Sequence, residues 1–156
     1  MIRSSFCLRL ASGWVILTSI LSAQSGPAFA SKRITTKTPG HAVAVEAKIA
    51  GARQLYLVVT QAGDGNSCDW ANWAEPRLVD AKGIETKLTS LKWKSAQSDW
   101  RTVQIDKNAA GGEMRIQGSP VAYGLGTHSN STIIYDLPKG HSYQKFIARG
   151  GIDNGG

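Results

Sequence analysis

From residue 41 onward apolar residues recur at every second position, and that period decides the class of fold. In "HAVAVEAKI" Val43, Val45, Ala47 and Ile49 alternate with Ala44, Glu46 and Lys48. In "RQLYLVVTQ" Leu55, Leu57 and Val59 share one side. Successive side chains of an extended strand point to opposite faces, so a period of two marks a strand with one face buried. "PRLVD", "IETKL", "WRTVQID", "GEMRIQG", "STIIYDL" and "YQKFIAR" continue the series. Turn-forming runs separate them: "DAKG", "KNAAGG", "QGSP" and "LPKG". Gly83 at the end of "DAKG" suits a tight hairpin, and Pro138 and Gly140 fit positions i+1 and i+3 of a type I turn. No stretch sustains a helical period. Roughly seven or eight short strands with turn chemistry between them predict an all-β protein, an antiparallel β-sandwich or jelly roll.

The first 30 residues read as a secretory signal peptide. Arg3 and Arg9 give a basic start, an apolar run spans Leu10 to Leu21, and "AQSGPAFA" ends in small residues at Ala28 and Ala30. The cut is expected after Ala30. The apolar run is short of the roughly 20 residues a membrane span needs, so no stable membrane insertion is expected after cleavage. The uncleaved anchor is the alternative. The expected location is secreted, periplasmic or at the cell surface. Residues 31 to 41 are polar and basic and read as a flexible lead-in. Residues 42 to 156 are then one domain of ordinary size.

The chain carries a formal charge of +7, which falls to about +5 when Arg3 and Arg9 leave. The remaining basic residues are scattered rather than blocked, so the excess reads as a solvated face and no nucleic-acid partner is expected. Cys7 leaves with the signal and Cys68 stays alone, so neither an internal disulfide nor a cysteine-based metal site can form. Burial as a small hydrophobe is the expected state of Cys68.

The longest irregular stretch is "QAGDGNSCDWANWAEP", residues 61 to 76. Its Asp64, Asn66 and Asp69, spaced by glycines, are candidate ligands for a structural calcium ion; the alternative is a solvated loop whose Asp and Asn side chains cap turns. Trp70, Trp73, Trp93 and Trp100 are a heavy tryptophan load. Most are expected in the core, with one or two as flat platforms for the C–H face of a sugar. His128, in "GLGTHSNST", has Ser129 and Ser131 beside it, but no base and orienting group can be assigned to either serine. No GxSxG or HExxH motif occurs, and no pair of acids stands out for glycoside cleavage. A hydrolase is therefore not supported.

Three segments in register are similar to the NPCBM/NEW2 domain, the carbohydrate-binding module found with glycosyl hydrolase family 98 enzymes. They are "DWANWAEPRLVD" with the hairpin and "TSLKW" after it, "GSPVAYGLGTHSNSTIIYDLP", and "YQKFIARGGIDNGG". The likeness covers residues from about 50 to 156 and is greatest to the version carried by large secreted or surface proteins of planctomycete-type bacteria. It implies a galactose-binding-like jelly roll, non-catalytic, sometimes with a structural calcium. It implies a glycan partner, with Trp70, Trp73, His128, Asn130, Asp153 and Asn154 as the candidate contacts. It places His128 at the start of a central strand fed by the glycine-rich loop, with "FIARGGID" as that strand's partner and Phe146 and Ala148 facing in. Gly150 and Gly151 would permit close packing or an unusual turn. Members of the family continue past "GID" through at least one more strand, so this domain reads as lacking its last strand or strands. The rival function is a structural module that docks other envelope proteins along an open sheet edge.

Overall fold

The computed structural model describes residues 26–63, 65 and 67–156. The fold is all-β. Its strands are β1 (Ala42–Lys48), β2 (Gln54–Val59), β3 (Trp70–Asp80), β4 (Glu85–Lys87), β5 (Ser95–Ser98) and β6 (Gln104–Ile105). They continue with β7 (Arg115–Ile116), β8 (Ser119–Pro120), β9 (Gly124–His128), β10 (Ser131–Asp136) and β11 (Tyr143–Ile152). Short 3-10 turns at Pro39–His41 and Leu88–Ser90 are the only helical pieces among the described residues. All the strand pairs are antiparallel. The larger sheet runs β1-β11-β3-β9-β6, and β4 continues the edge of β3 that β9 occupies; the smaller sheet runs β2-β10-β5. The two sheets form a β-sandwich.

Alternation explains how the core assembles. Val45, Ala47 and Ile49 of the β1 region, Leu55 and Leu57 of β2, Ile133 and Tyr135 of β10, and Phe146 and Ala148 of β11 are all buried between the sheets. Their polar alternates face out. Phe146 and Ala148 thus face inward as expected. Truncating a buried aromatic such as Phe146, 2% exposed, would cost about 3–5 kcal/mol.

Four expectations are corrected. "DWANWAEP" is not loop: β3 begins at Trp70, and Glu75 adopts a φ of 53° where β3 slips register against β11. That bulge lets both Trp73 and Leu78 face inward, although five residues apart. "GLGTH" is itself a strand, so His128 ends β9 rather than starting a strand. "FIARGGID" pairs with β1 and β3, while "STIIYD" pairs with β2 and β5, so the two lie in opposite sheets. The "LPKG" turn also closes one residue later than expected. The His141 N–H donates to Pro138 O, and Gly140 has a φ of +75°.

Residues 107 to 118 lie flat on the outer face of the larger sheet and bury Ala109, Met114 and Ile116 there. Glycines allow this close approach. A Cβ on Gly126 would stand 2.1 Å from Lys107 O, and one on Gly151 would stand 2.8 Å from the Ile116 side chain. Gly150, by contrast, meets only an ordinary contact with Val45 at 3.7 Å.

Candidate functional site

The expected site residues separate into two groups. Asp153 is 2% exposed. Its Oδ2 accepts from Asn72 Nδ2 at 2.7 Å and from the Arg115 N–H at 3.0 Å. Its Oδ1 accepts from Asn108 Nδ2 at 3.2 Å and from the Gly155 N–H at 2.9 Å. The carboxylate therefore ties β3, the covering loop and the end of β11 together, as a buried charge must when it is well satisfied. Asn154 is exposed, but its Oδ1 accepts from the Gly118 N–H at 2.8 Å. Both residues brace the covering loop. Trp73 packs edge-on against Phe146 in the core, with ring centroids 6.2 Å apart.

The other group meets at the β9–β10 turn. Trp70 pairs with His128 across the β3–β9 ladder. Trp70 stacks on Trp100, with centroids 5.6 Å apart and planes 21° from parallel. Trp70's surroundings include Gly155, whose added Cβ would stand 2.4 Å from the ring. Trp70 is thus wedged between backbone and a second indole, and is no open platform. Trp100 is 38% exposed. The Arg101 guanidinium lies 4.6 Å from the Trp100 ring centroid, and the His128 ring 5.6 Å from it. Arg101 Nη1 also donates to Ala110 O at 3.0 Å. A cation on an indole face fixes both groups.

Asn130, the residue after His128 and Ser129, is clamped to Asp99. Its N–H and its Nδ2 both donate to Asp99 Oδ2, at 3.1 and 3.0 Å, and its Oδ1 accepts from the Gln61 N–H at 3.1 Å. The Asn130 backbone N–H, then its side-chain amide, hold the Asp99 carboxyl below the usual carboxylate range, with desolvation opposing them. Asp99 Oδ1 keeps no partner among the described residues. Asp99, Arg101, Asn130, Gln97, Thr102 and Thr132 line an open polar pocket of about 580 Å³. The pocket so formed presents a carboxylate, a guanidinium, amides and hydroxyls on one rim. Sugar hydroxyls need this mixture of acceptors and donors.

A larger cleft of about 640 Å³ opens on the flank between β1 and β2. Val43, Val45, Val58 and Trp73 wall it, and residues 27–35 of the chain itself close one side. Phe29 packs there against the core. This cleft is mostly apolar and is partly covered by its own chain, with Gln61, Asp69, Asn72 and Ser129 among its polar lining.

The histidine and serines do not assemble into a nucleophile and base. The Ser129 hydroxyl donates to Asp69 Oδ2 at 2.8 Å, while His128 Nδ1 bonds the Ser129 carbonyl oxygen. The Ser129 hydroxyl thus meets a carboxylate and not the imidazole, whose Nδ1 holds backbone. Of the calcium candidates, Asp64 and Asn66 lie outside the described residues. Asp69 is described, and one of its oxygens is already taken by Ser129. Among the described residues no group of three or more His, Cys, Asp or Glu could hold a metal ion. Cys68 is exposed, not buried as expected, because its backbone at a φ of 64° sits in the loop before β3.

Asp99, Trp100 and Arg101 were not singled out as contacts by the sequence. The signal available was "SDWRT", an aromatic flanked by opposite charges in a short loop. Only the meeting of this loop with the β9–β10 turn, 30 residues further on, gives it meaning. No curated protein and no solved structure matches the chain. The family profile described as the NPCBM/NEW2 domain matches residues 18–79 and 85–156. With both sheets and the three sequence segments inside that match, the chain belongs to the NPCBM/NEW2 domain family.

Proposed function

We propose that this protein is a secreted, non-catalytic carbohydrate-binding module that holds a glycan at the pocket of Asp99, Arg101 and Asn130. The family is one of carbohydrate-binding modules. The observation that carries the reading is the convergence of unused polar capacity beside a stacked tryptophan pair. Asp99 Oδ1 can accept from a sugar hydroxyl, and Arg101, with one Nη1 bond to Ala110 O, keeps further N–H groups to donate. Asn130 and Trp100 hold these groups in place, so little ordering is left to be done on binding. The signal-like start of the sequence supports export. The bonding of His128 to backbone supports a role in positioning the turn rather than in catalysis.

The site is shallow and polar, so affinity belongs in the micromolar to millimolar range, or about 4–8 kcal/mol. The test is a glycan array followed by titration calorimetry on any hit. Asp99→Ala and Trp100→Ala should each weaken binding on the order of tenfold or more, with the fold kept as judged by circular dichroism. Absence of any hit at high protein concentration would refute the reading.

A further inference from the structure

The pocket does not end at its own rim. Gln97 and Thr132, which line it, also belong to the outer face of the smaller sheet. On that face, pairing sets out rungs of side chains: Val58, Thr132 and Gln97, then Tyr56, Ile134 and Ser95, then Gln54 beside Asp136. The alternate residues Ser131, Ile133 and Tyr135 are buried on the other face. Tyr56 is 55% exposed and Val58 is 51% exposed. These are among the most exposed large apolar side chains of the molecule. The aromatic rings that sequence would offer to a sugar are taken up elsewhere: Trp73 by the core, Trp70 by Trp100 and Gly155, and Trp100 by Trp70 and Arg101.

Tyr56 is also held. Its hydroxyl donates to Gln54 Oε1 at 2.7 Å, Gln54 Nε2 donates to Asp136 Oδ1 at 2.6 Å, and Lys94 Nζ donates to the same oxygen at 3.3 Å. The relay fixes an aromatic ring among amide, carboxylate and ammonium groups on an open sheet face. The charges balance locally, since Lys94 pairs with Asp136 and Arg101 shares the pocket with Asp99. From Asn130 to Asp136 the strand runs on the order of 20 Å at about 3.4 Å per residue. That is the length of a short oligosaccharide, not of one ring.

We propose that the outer face of β2, β10 and β5 continues the pocket as a track for an internal stretch of a neutral linear polysaccharide, with Tyr56 as its stacking platform. The inference rests on the carbohydrate reading of the pocket and adds the ligand class. Alternation of apolar groups with hydrogen-bonding groups across the rungs matches a sugar chain, whose rings have apolar faces and polar edges. A protein strand would instead add its backbone at β2 or β5, the outer strands of this sheet, and would not lie across its face.

The test uses the full chain. Native gels cast with soluble neutral polysaccharides (galactomannan, xyloglucan, mixed-linkage glucan) identify a retarding polymer. Calorimetry then follows its own fragments from monosaccharide to hexasaccharide. The inference expects affinity to rise with fragment length. Tyr56→Ala should weaken hexasaccharide binding on the order of tenfold and leave the monosaccharide unchanged, with Tyr56→Phe close to the parent. Tyr56 is exposed, so neither change threatens the fold, and an unaltered melting curve verifies it. Equal affinity for monosaccharide and hexasaccharide, or a Tyr56→Ala protein that binds the hexasaccharide normally, overturns the track and leaves the pocket standing. A Tyr56→Ala change that converts a dimer to a monomer in sedimentation, with glycan binding unchanged, assigns the face to a second copy and overturns the track. Failure of the parent to bind any polymer or fragment overturns pocket and track together.

Discussion

Tyr135 carries a hydroxyl into the centre of the sandwich, where it is 1% exposed and its oxygen finds no hydrogen-bond partner among the described residues. Burial pushes its ionisation up to about 12. An unpaired buried hydroxyl costs free energy, so Tyr135→Phe is expected to be neutral or stabilising by up to about 1 kcal/mol. The measurement is the denaturant midpoint at constant slope. The pH sense follows from the raised value. Between about 10 and about 12 the unfolded chain releases the phenol proton while the folded chain keeps it, so stability falls as pH rises through that window. Tyr135→Phe should lose that part of the alkaline decline. Asp99 works in the opposite sense. Its folded value is lowered by Asn130, so its contribution is present above the ordinary value of about 3.9 and disappears as pH falls through the lower folded value. A carboxyl carbon titration by NMR should place the Asp99 midpoint below that value, and Asn130→Ala should raise it.

At the scale of elements, legibility followed burial. β1, β2, β10 and most of β11 bury one face, so their alternation was plain in the sequence. β9 buries both faces: Leu125 and Thr127 point between the sheets, and Gly124 and Gly126 lie under the covering loop. A strand covered on both sides shows no alternation, and its glycines read as loop. The start of β3 was hidden by the bulge at Glu75, which breaks the period. "WRTVQID" and "GEMRIQG" yield only the two-residue ladders β6 and β7, because most of each run serves the covering loop and its approach. This accounts for Gly126. A Cβ there would meet backbone of Lys107 and Asn108 within 2.6 Å, and backbone cannot swing aside as a side chain does. Gly126→Ala is expected to destabilise by about 1–3 kcal/mol or more in equilibrium unfolding. It should also raise amide exchange across residues 107 to 118. A destabilised protein with unchanged exchange in that loop would contradict the packing described.

The whole molecule is one-sided. The larger sheet is roofed by residues 107 to 118 and locked by Asp153, while the smaller sheet leaves Tyr56 and Val58 in solvent. The candidate site was the least legible part of the sequence for the same reason. His128, Asn130 and Trp70 were visible as residue types, but Asp99 and Arg101 join them only through sheet pairing across long stretches of chain. Asp153 and Asn154 looked like ligands because polar residues beside glycines resemble a binding loop, and the fold uses them as braces.

Phe29 packs against the core beside the flank cleft, and the expected peptidase cut falls one residue after it. A protease needs its cleavage site extended and within reach. Once Phe29 has docked, that condition is gone. Were the chain cut after Ala30, that cut and the docking of Phe29 would compete in time. The order of the two events would then decide whether Phe29 stays with the domain.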